Sequence, residues 1–113
     1  MIDNLVILWT NADPLTAEHM VFMYAKNAKT QGWWKNVTLL IWGATAKLVA
    51  ENEDIQRSIN ELKKSGVKVS GCVSCARELG VAGDLFDLGI ELIKWGEPLT
   101  DAMKDENTYL MSL

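Results

Sequence analysis

Leu5-Val6-Ile7-Leu8-Trp9-Thr10-Asn11-Ala12-Asp13-Pro14 decides the fold. Its first five residues are apolar without alternation, which marks a strand buried on both faces, as in a parallel sheet. The run breaks at Thr10-Asn11-Ala12. Asp13-Pro14 then reads as a helix start: the carboxylate accepts from open backbone N–H groups, and proline suits the first helical position. From Pro14 to Lys29 the residues Ala17, Met20, Val21, Tyr24, Ala25 and Ala28 recur at helical spacing, and Gln31-Gly32 ends the helix.

The same alternation continues outward. Asn36 to Trp42 is a second strand, Gly43-Ala44-Thr45 its turn, and Ala46 to Ala50 a short helical turn. Asn52 caps a clearer helix, with Glu53 and Asp54 at its positive end, Ile55, Ile59 and Leu62 as its buried stripe, and Lys63-Lys64 in its last turn. Val67 to Ser70 is a brief third strand. Gly71 to Leu79 turns it into a short helix stopped by Gly80, and Val81 to Leu88 is another helical segment. Ile90 to Lys94 is a fourth strand, Pro98 to Lys104 a short helix, and Thr108 to Leu113 a final strand. Without repeats or linkers, residues 1–113 form a single domain. Strand–helix alternation throughout predicts a three-layer α/β/α sandwich on a mainly parallel five-stranded sheet. The turns leaving parallel strands gather along one edge, where sites form. Asn11 to Pro14, Gly43 to Thr45, Gly71 to Cys75 and Trp95 to Pro98 are expected to meet there.

Composition narrows the function. A formal net charge of -4 argues against nucleic-acid and anionic-membrane partners, which need a basic footprint. No apolar run approaches the roughly 18 residues of a membrane span. The start, with Asp3 and only Leu5 to Trp9 apolar, does not read as a signal peptide, so a cytoplasmic location is expected. Two cysteines make no disulfide scaffold.

Those cysteines carry the chemistry. Cys72-Val73-Ser74-Cys75 is a C-x-x-C at a strand-to-helix turn. A helix start favours a thiolate, so the thiol pKa is expected to fall from about 8.5 toward neutrality. Cys72 is expected to be the more exposed and reactive thiol, and Cys75 to point further into the helix-packing layer. Lys68 and Arg77 are candidates for added positive charge. Thioredoxin fits poorly, because the motif lies in the second half and Pro14 and Pro98 both read as helix starts. Structural zinc needs four ligands, and one C-x-x-C with a distant His19 does not supply them. No metal or other cofactor is expected.

Leu8-Trp9-Thr10, Leu40-Ile41-Trp42-Gly43-Ala44-Thr45-Ala46-Lys47-Leu48-Val49-Ala50, Gly71-Cys72-Val73-Ser74-Cys75-Ala76 and Gly96-Glu97-Pro98-Leu99-Thr100 together resemble the DsrE/DsrF-like family of small sulfur-relay proteins. The resemblance spans nearly the whole chain. Its relay subunits carry a cysteine at the start of this turn-helix, eight residues before a glycine, and Cys72 matches that position before Gly80. The resemblance implies a DsrEFH-like sheet and a trimeric or hexameric homo-oligomer. It also implies a persulfide carrier in which Cys72 takes sulfur from a donor protein and hands it to an acceptor. A second cysteine three residues on departs from the relay subunits. It opens the alternative of a thiol-disulfide or persulfide reductase cycling Cys72 and Cys75. A third reading is a non-catalytic oligomeric module that binds a ligand or protein at the same edge.

Other residues at that edge are candidates for substrate contact: Asn11, Asp13, His19, Gly43, Ala44, Thr45, Gly71 and Ser74. Capping already accounts for Asp13. The turn Gly43-Ala44-Thr45 offers backbone N–H groups to an anion, without any nucleotide-binding pattern around it. Trp9 and Trp42 are expected in the core. Trp33-Trp34 are expected either at a subunit interface or packed on the first helix.

Overall fold

The apolar run of the first strand is buried because it lies in the middle of the sheet. In the computed structural model, which describes residues 2–113, Leu5, Ile7 and Trp9 face one layer and Val6 and Leu8 the other. The strands are β1 (Asn4–Trp9), β2 (Asn36–Ile41), β3 (Lys68–Cys72), β4 (Glu91–Ile93) and β5 (Thr108–Ser112), in the order β4-β3-β2-β1-β5. All neighbours are parallel; Leu5 pairs Val37 and Tyr109, and Cys72 pairs Ile93.

The helical segments are α1 (Pro14–Thr16), a π-helical stretch (Ala17–Phe22), α2 (Met23–Thr30), α3 (Ala44–Glu51), α4 (Glu53–Lys64), α5 (Val73–Glu78), α6 (Ala82–Asp87) and α7 (Gly96–Lys104). All but α7 and the three-residue α1 pack on one face of the sheet. There Ala17, Val21, Phe22, Ala25, Ala28, Val49, Ile55, Ile59, Leu62 and Leu85 close on Ile7, Trp9, Leu39 and Ile41. On the other face α7 packs Leu99 and Ala102 against Val6, Leu40 and Trp95. This is the three-layer, DsrEFH-like sandwich.

Three local readings are corrected. The first helix is not regular, because the π-helical stretch interrupts it at Ala17–Phe22. Within that stretch Glu18 accepts from Ser58 Oγ of α4 at 2.9 Å through one carboxylate oxygen, while the other is buried without a partner. The helical turn after the second strand grows to Ala44–Glu51. The third strand runs two residues further, through Gly71 and Cys72, since β4 gives both a pairing partner.

The two caps read from the sequence, Asn52 and Asp13, behave as read, and Asp105 makes a similar turn before β5 that the sequence reading did not include. Asn52 accepts from Ile55 N–H at 3.1 Å. Asp13 accepts from the Thr16 hydroxyl at 2.8 Å and the Thr16 N–H at 3.3 Å, and Asp105 from the Thr108 hydroxyl at 2.6 Å and the Asn107 N–H at 3.2 Å. The Thr16 and Thr108 hydroxyls, with these N–H groups, hold both carboxyls below their ordinary value. A depressed folded pKa adds stability that is present above the unfolded value, about 3.9, and is lost as pH falls through the folded value. The stability gap between wild type and Asp13→Asn or Asp105→Asn, read from urea midpoints, is therefore expected to hold above about pH 4 and shrink below it. A gap that stays constant into acid would remove ionisation as its source.

Trp9 is fully buried, whereas Trp42 is half-buried against the α7 layer. Trp34 donates to Tyr24 Oη of α2 at 3.1 Å and stacks on Tyr109 at 6.2 Å. Trp33 stays exposed beside Tyr24, at 6.0 Å. No helix of the described residues is long and apolar enough to cross a membrane.

Candidate functional site

Strand direction fixes which turns meet. β1 to β4 are parallel, so Thr10–Asp13, Trp42–Gly43, Cys72–Val73 and Lys94–Trp95 all leave the sheet's carboxyl edge. The thiols therefore lie beside the start of α3. Both cysteines are free.

Cys72 is the last residue of β3 and the residue before α5, with extended backbone at φ -77 and ψ 115. Paired with Ile93, it stays within the sheet and is only 6% exposed. Cys75, one turn into α5, is half-buried and lines an open hollow of about 280 Å³ with Gly43, Ala44, Glu78 and Leu79. The expected order of exposure is thus reversed: the longer strand encloses Cys72, and the helical turn brings Cys75 round to the gap between α3 and α5. Gly43 closes the far side of that gap with φ +69, a conformation that suits glycine. At the other end of α5, Gly80, also at positive φ, stops the helix, with Val81 N–H donating to Ala76 C=O at 2.8 Å.

The electrostatics also differ from expectation. Burial pushes the Cys75 thiol up, the Gly43 backbone N–H works the other way, and the neighbouring Cys72 thiol and Glu78 push it up further. The net direction is upward, against the fall expected of a helix start, which favours the thiol over the thiolate at Cys75 at neutral pH. The basic residues near in sequence do not help. Lys68 sits at the opposite end of β3 and pairs with Glu91 at 3.8 Å, and Arg77 is exposed and does not line the hollow.

Of the other candidates, Gly43 and Ala44 join Cys75 in the hollow. Thr45 is fully buried and ties two strand ends together: its hydroxyl lies 2.8 Å from Trp9 C=O and accepts from Trp42 N–H at 3.2 Å. Gly71 is buried in β3, where a Cβ would meet Leu92 Cδ2 at 3.0 Å. Ser74 and His19 are exposed and outside the hollow. Asn11 and Asp13 form their own turn, with Asp13 N–H donating to Asn11 Oδ1 at 2.9 Å. Glu78 and Leu79 escaped the sequence reading. The signal was present, since they follow Cys75 by three and four residues and so share its helix face.

A larger cavity, about 480 Å³, lies between α7 and the amino-terminal part of the sheet, lined by Asn4, Val6, Thr38, Trp95 and Asp101 among others; neither thiol lines it. Among the described residues no three His, Cys, Asp or Glu side chains converge as a metal site.

No protein-family model matches the sequence, and no curated protein does. Two solved structures are similar. One is BT1422 from Bacteroides thetaiotaomicron, a conserved protein of unknown function, at 39% identity and a TM-score of 0.93, covering 98% of this chain and 95% of that one. The other is the ychN protein from E. coli, at 14% identity and a TM-score of 0.71, covering 100% of both chains. At that identity the second likeness speaks to fold alone.

Proposed function

The chain belongs to the family of Bacteroides thetaiotaomicron BT1422 and has a DsrE/DsrF-like fold; from this, and from its thiol pair, we propose that it is a sulfane-sulfur carrier that takes up sulfur as a persulfide on Cys75. The observation that carries the proposal is the hollow itself. It presents one accessible thiol at the carboxyl edge of the sheet, with a second thiol enclosed directly behind it.

The chemistry balances without a cofactor. Cys75 loses its proton to water, and the thiolate attacks the outer sulfur of a donor persulfide, R–S–SH. The donor S–S bond breaks, R–S⁻ leaves with the electron pair and takes up a proton, and Cys75–S–SH remains. An acceptor thiolate repeats the exchange in the other direction. The sequence resemblance favoured Cys72 as the sulfur-bearing residue. Its burial favours Cys75 as the point of entry. A homo-oligomer, trimeric or hexameric, and a cytoplasmic setting with protein donors and acceptors complete the proposal. A sheet face covered by α7 alone and the exposed Trp33, Phe86 and Tyr109 support assembly.

A second reading rests on the closeness of the thiols: Cys72 is near enough to be one of the groups, after burial and together with Glu78, that push the Cys75 thiol up. If Cys72 thiolate attacks Cys75 Sγ in the persulfide, HS⁻ leaves and a Cys72–Cys75 disulfide forms. The sulfane sulfur is then reduced and the two thiols oxidised, and an external dithiol must restore them. Intact-protein mass spectrometry after exposure to an organic persulfide donor with no other charged group, followed by alkylation and digestion, separates the outcomes. One added sulfur atom on Cys75, removed by reductant, is the expected result. A disulfide with sulfide release would give the reductase. No modification of either thiol would leave a binding module.

A further inference from the structure

We infer that the hollow before Cys75 selects sulfur donors by charge, admitting neutral ones and turning anions away, with Glu78 as the specificity-determining residue. The inference deepens the sulfur-carrier proposal and rests on its assignment of Cys75 as the entry thiol.

The hollow is lined by Gly43, Ala44, Cys75, Glu78 and Leu79, so Glu78 is its one charged side chain. Glu78 lies one turn beyond Cys75 on the same face of α5, and Leu79, 44% exposed, makes the neighbouring rim apolar. No lysine or arginine lines the hollow. The Gly43 N–H is the group that favours negative charge at the sulfur. Thiosulfate and inorganic polysulfides would bring anionic charge beside a carboxylate in a space with no cation to answer it. A persulfide on an uncharged organic or protein side chain brings none in its protonated form, R–S–SH, which is also the form the Cys75 thiolate attacks. About 280 Å³ is also small, near the lower end for ligand pockets, and suits a single side chain or a few heavy atoms.

Two alkylating agents of similar size and the same leaving group read this directly. Iodoacetamide is neutral and iodoacetate is an anion. Rates at Cys75 are followed by peptide mapping, in wild type, Glu78→Gln and Glu78→Asp, and each is divided by the rate of a free model thiol. In wild type the iodoacetate-to-iodoacetamide ratio is expected to fall about 3- to 10-fold below that of the free thiol at low salt. Glu78→Gln is expected to bring the ratio to within about 2-fold of the free thiol. Glu78→Asp is expected to keep most of the wild-type bias, and 1 M salt to erase it, since charges then screen over about 3 Å. Equal ratios in wild type and Glu78→Gln would overturn the inference. A Cys75 that reacts with neither reagent would overturn both it and the carrier proposal. Charge selection without any sulfur uptake would overturn the carrier proposal and, with it, sulfur donors as what the hollow selects, leaving only Glu78's control of charge at the thiol.

Discussion

Trp9→Ala is expected to destabilise the protein by about 3–5 kcal/mol, the range for removing a fully enclosed tryptophan. The indole is 0% exposed, meets Phe22 edge-on with ring centroids 5.1 Å apart, and donates through Nε1 to Asn11 C=O at 2.9 Å. The backbone at the same residue is equally committed: Trp9 C=O receives the Trp42 N–H at 3.3 Å, with the Thr45 hydroxyl at 2.8 Å. Truncation thus opens a cavity between the π-helical stretch and the sheet, and frees the turn that leads to Asp13. Domains of this size hold on the order of 5–15 kcal/mol, so a loss of that size takes a large part of the whole. Urea unfolding followed by circular dichroism measures it. Trp9→Phe, which keeps the ring packing and loses the Asn11 hydrogen bond, is expected to cost less. A Trp9→Ala loss below about 1 kcal/mol would mean that the site collapses freely, contrary to the close-packed layer described above.

The fold was legible because its strands are buried on both sides, and such strands announce themselves as unbroken apolar runs. Leu5 to Trp9 and Val37 to Ile41 needed no tertiary information. Asp13-Pro14 and Asn52 likewise marked helix starts through local hydrogen bonds that any chain context preserves. What escaped were features set by neighbours remote in sequence. β3 continues through Gly71 and Cys72 because β4 lies alongside, and nothing within Lys68 to Cys75 encodes that pairing. The π-helical stretch at Ala17–Phe22 replaces an apolar pattern that fits an α-helix equally well. The thiol ranking failed for the same reason as the strand end. Local helix-start chemistry favours a low pKa, but burial is a property of the whole fold, and for Cys75 burial dominates. Helical spacing from Cys75 to Glu78 and Leu79 was in the sequence. It gained meaning once Cys75, rather than Cys72, was seen to face the hollow.

That reversal sets the second large effect. In Cys75→Ser, sulfur uptake is expected to fall by roughly 100-fold or more. Cys72 is enclosed at the strand end, so a donor reaches it only through local opening, and an opening free energy of about 3 kcal/mol lowers the reactive population by about that factor. In Cys72→Ala, chosen to avoid burying a hydroxyl, uptake is expected to continue near the wild-type rate, because Cys75 keeps the hollow, the Gly43 N–H and Glu78 around it. The lifetime of the persulfide then decides between carrier and reductase. If Cys72 normally attacks Cys75 Sγ and expels sulfide, the persulfide lasts longer in Cys72→Ala than in wild type, and sulfide release stops. If the chain is a carrier, the lifetime is the same in both, and transfer to an added thiol acceptor is unchanged. Time-resolved mass spectrometry of the loaded proteins, with circular dichroism to confirm folding, measures both quantities. Wild-type loading in Cys75→Ser would return the sulfur to Cys72, the residue the sequence resemblance favours. It would also require β3 to open at its end during the reaction, since Cys72 pairs with Ile93 there.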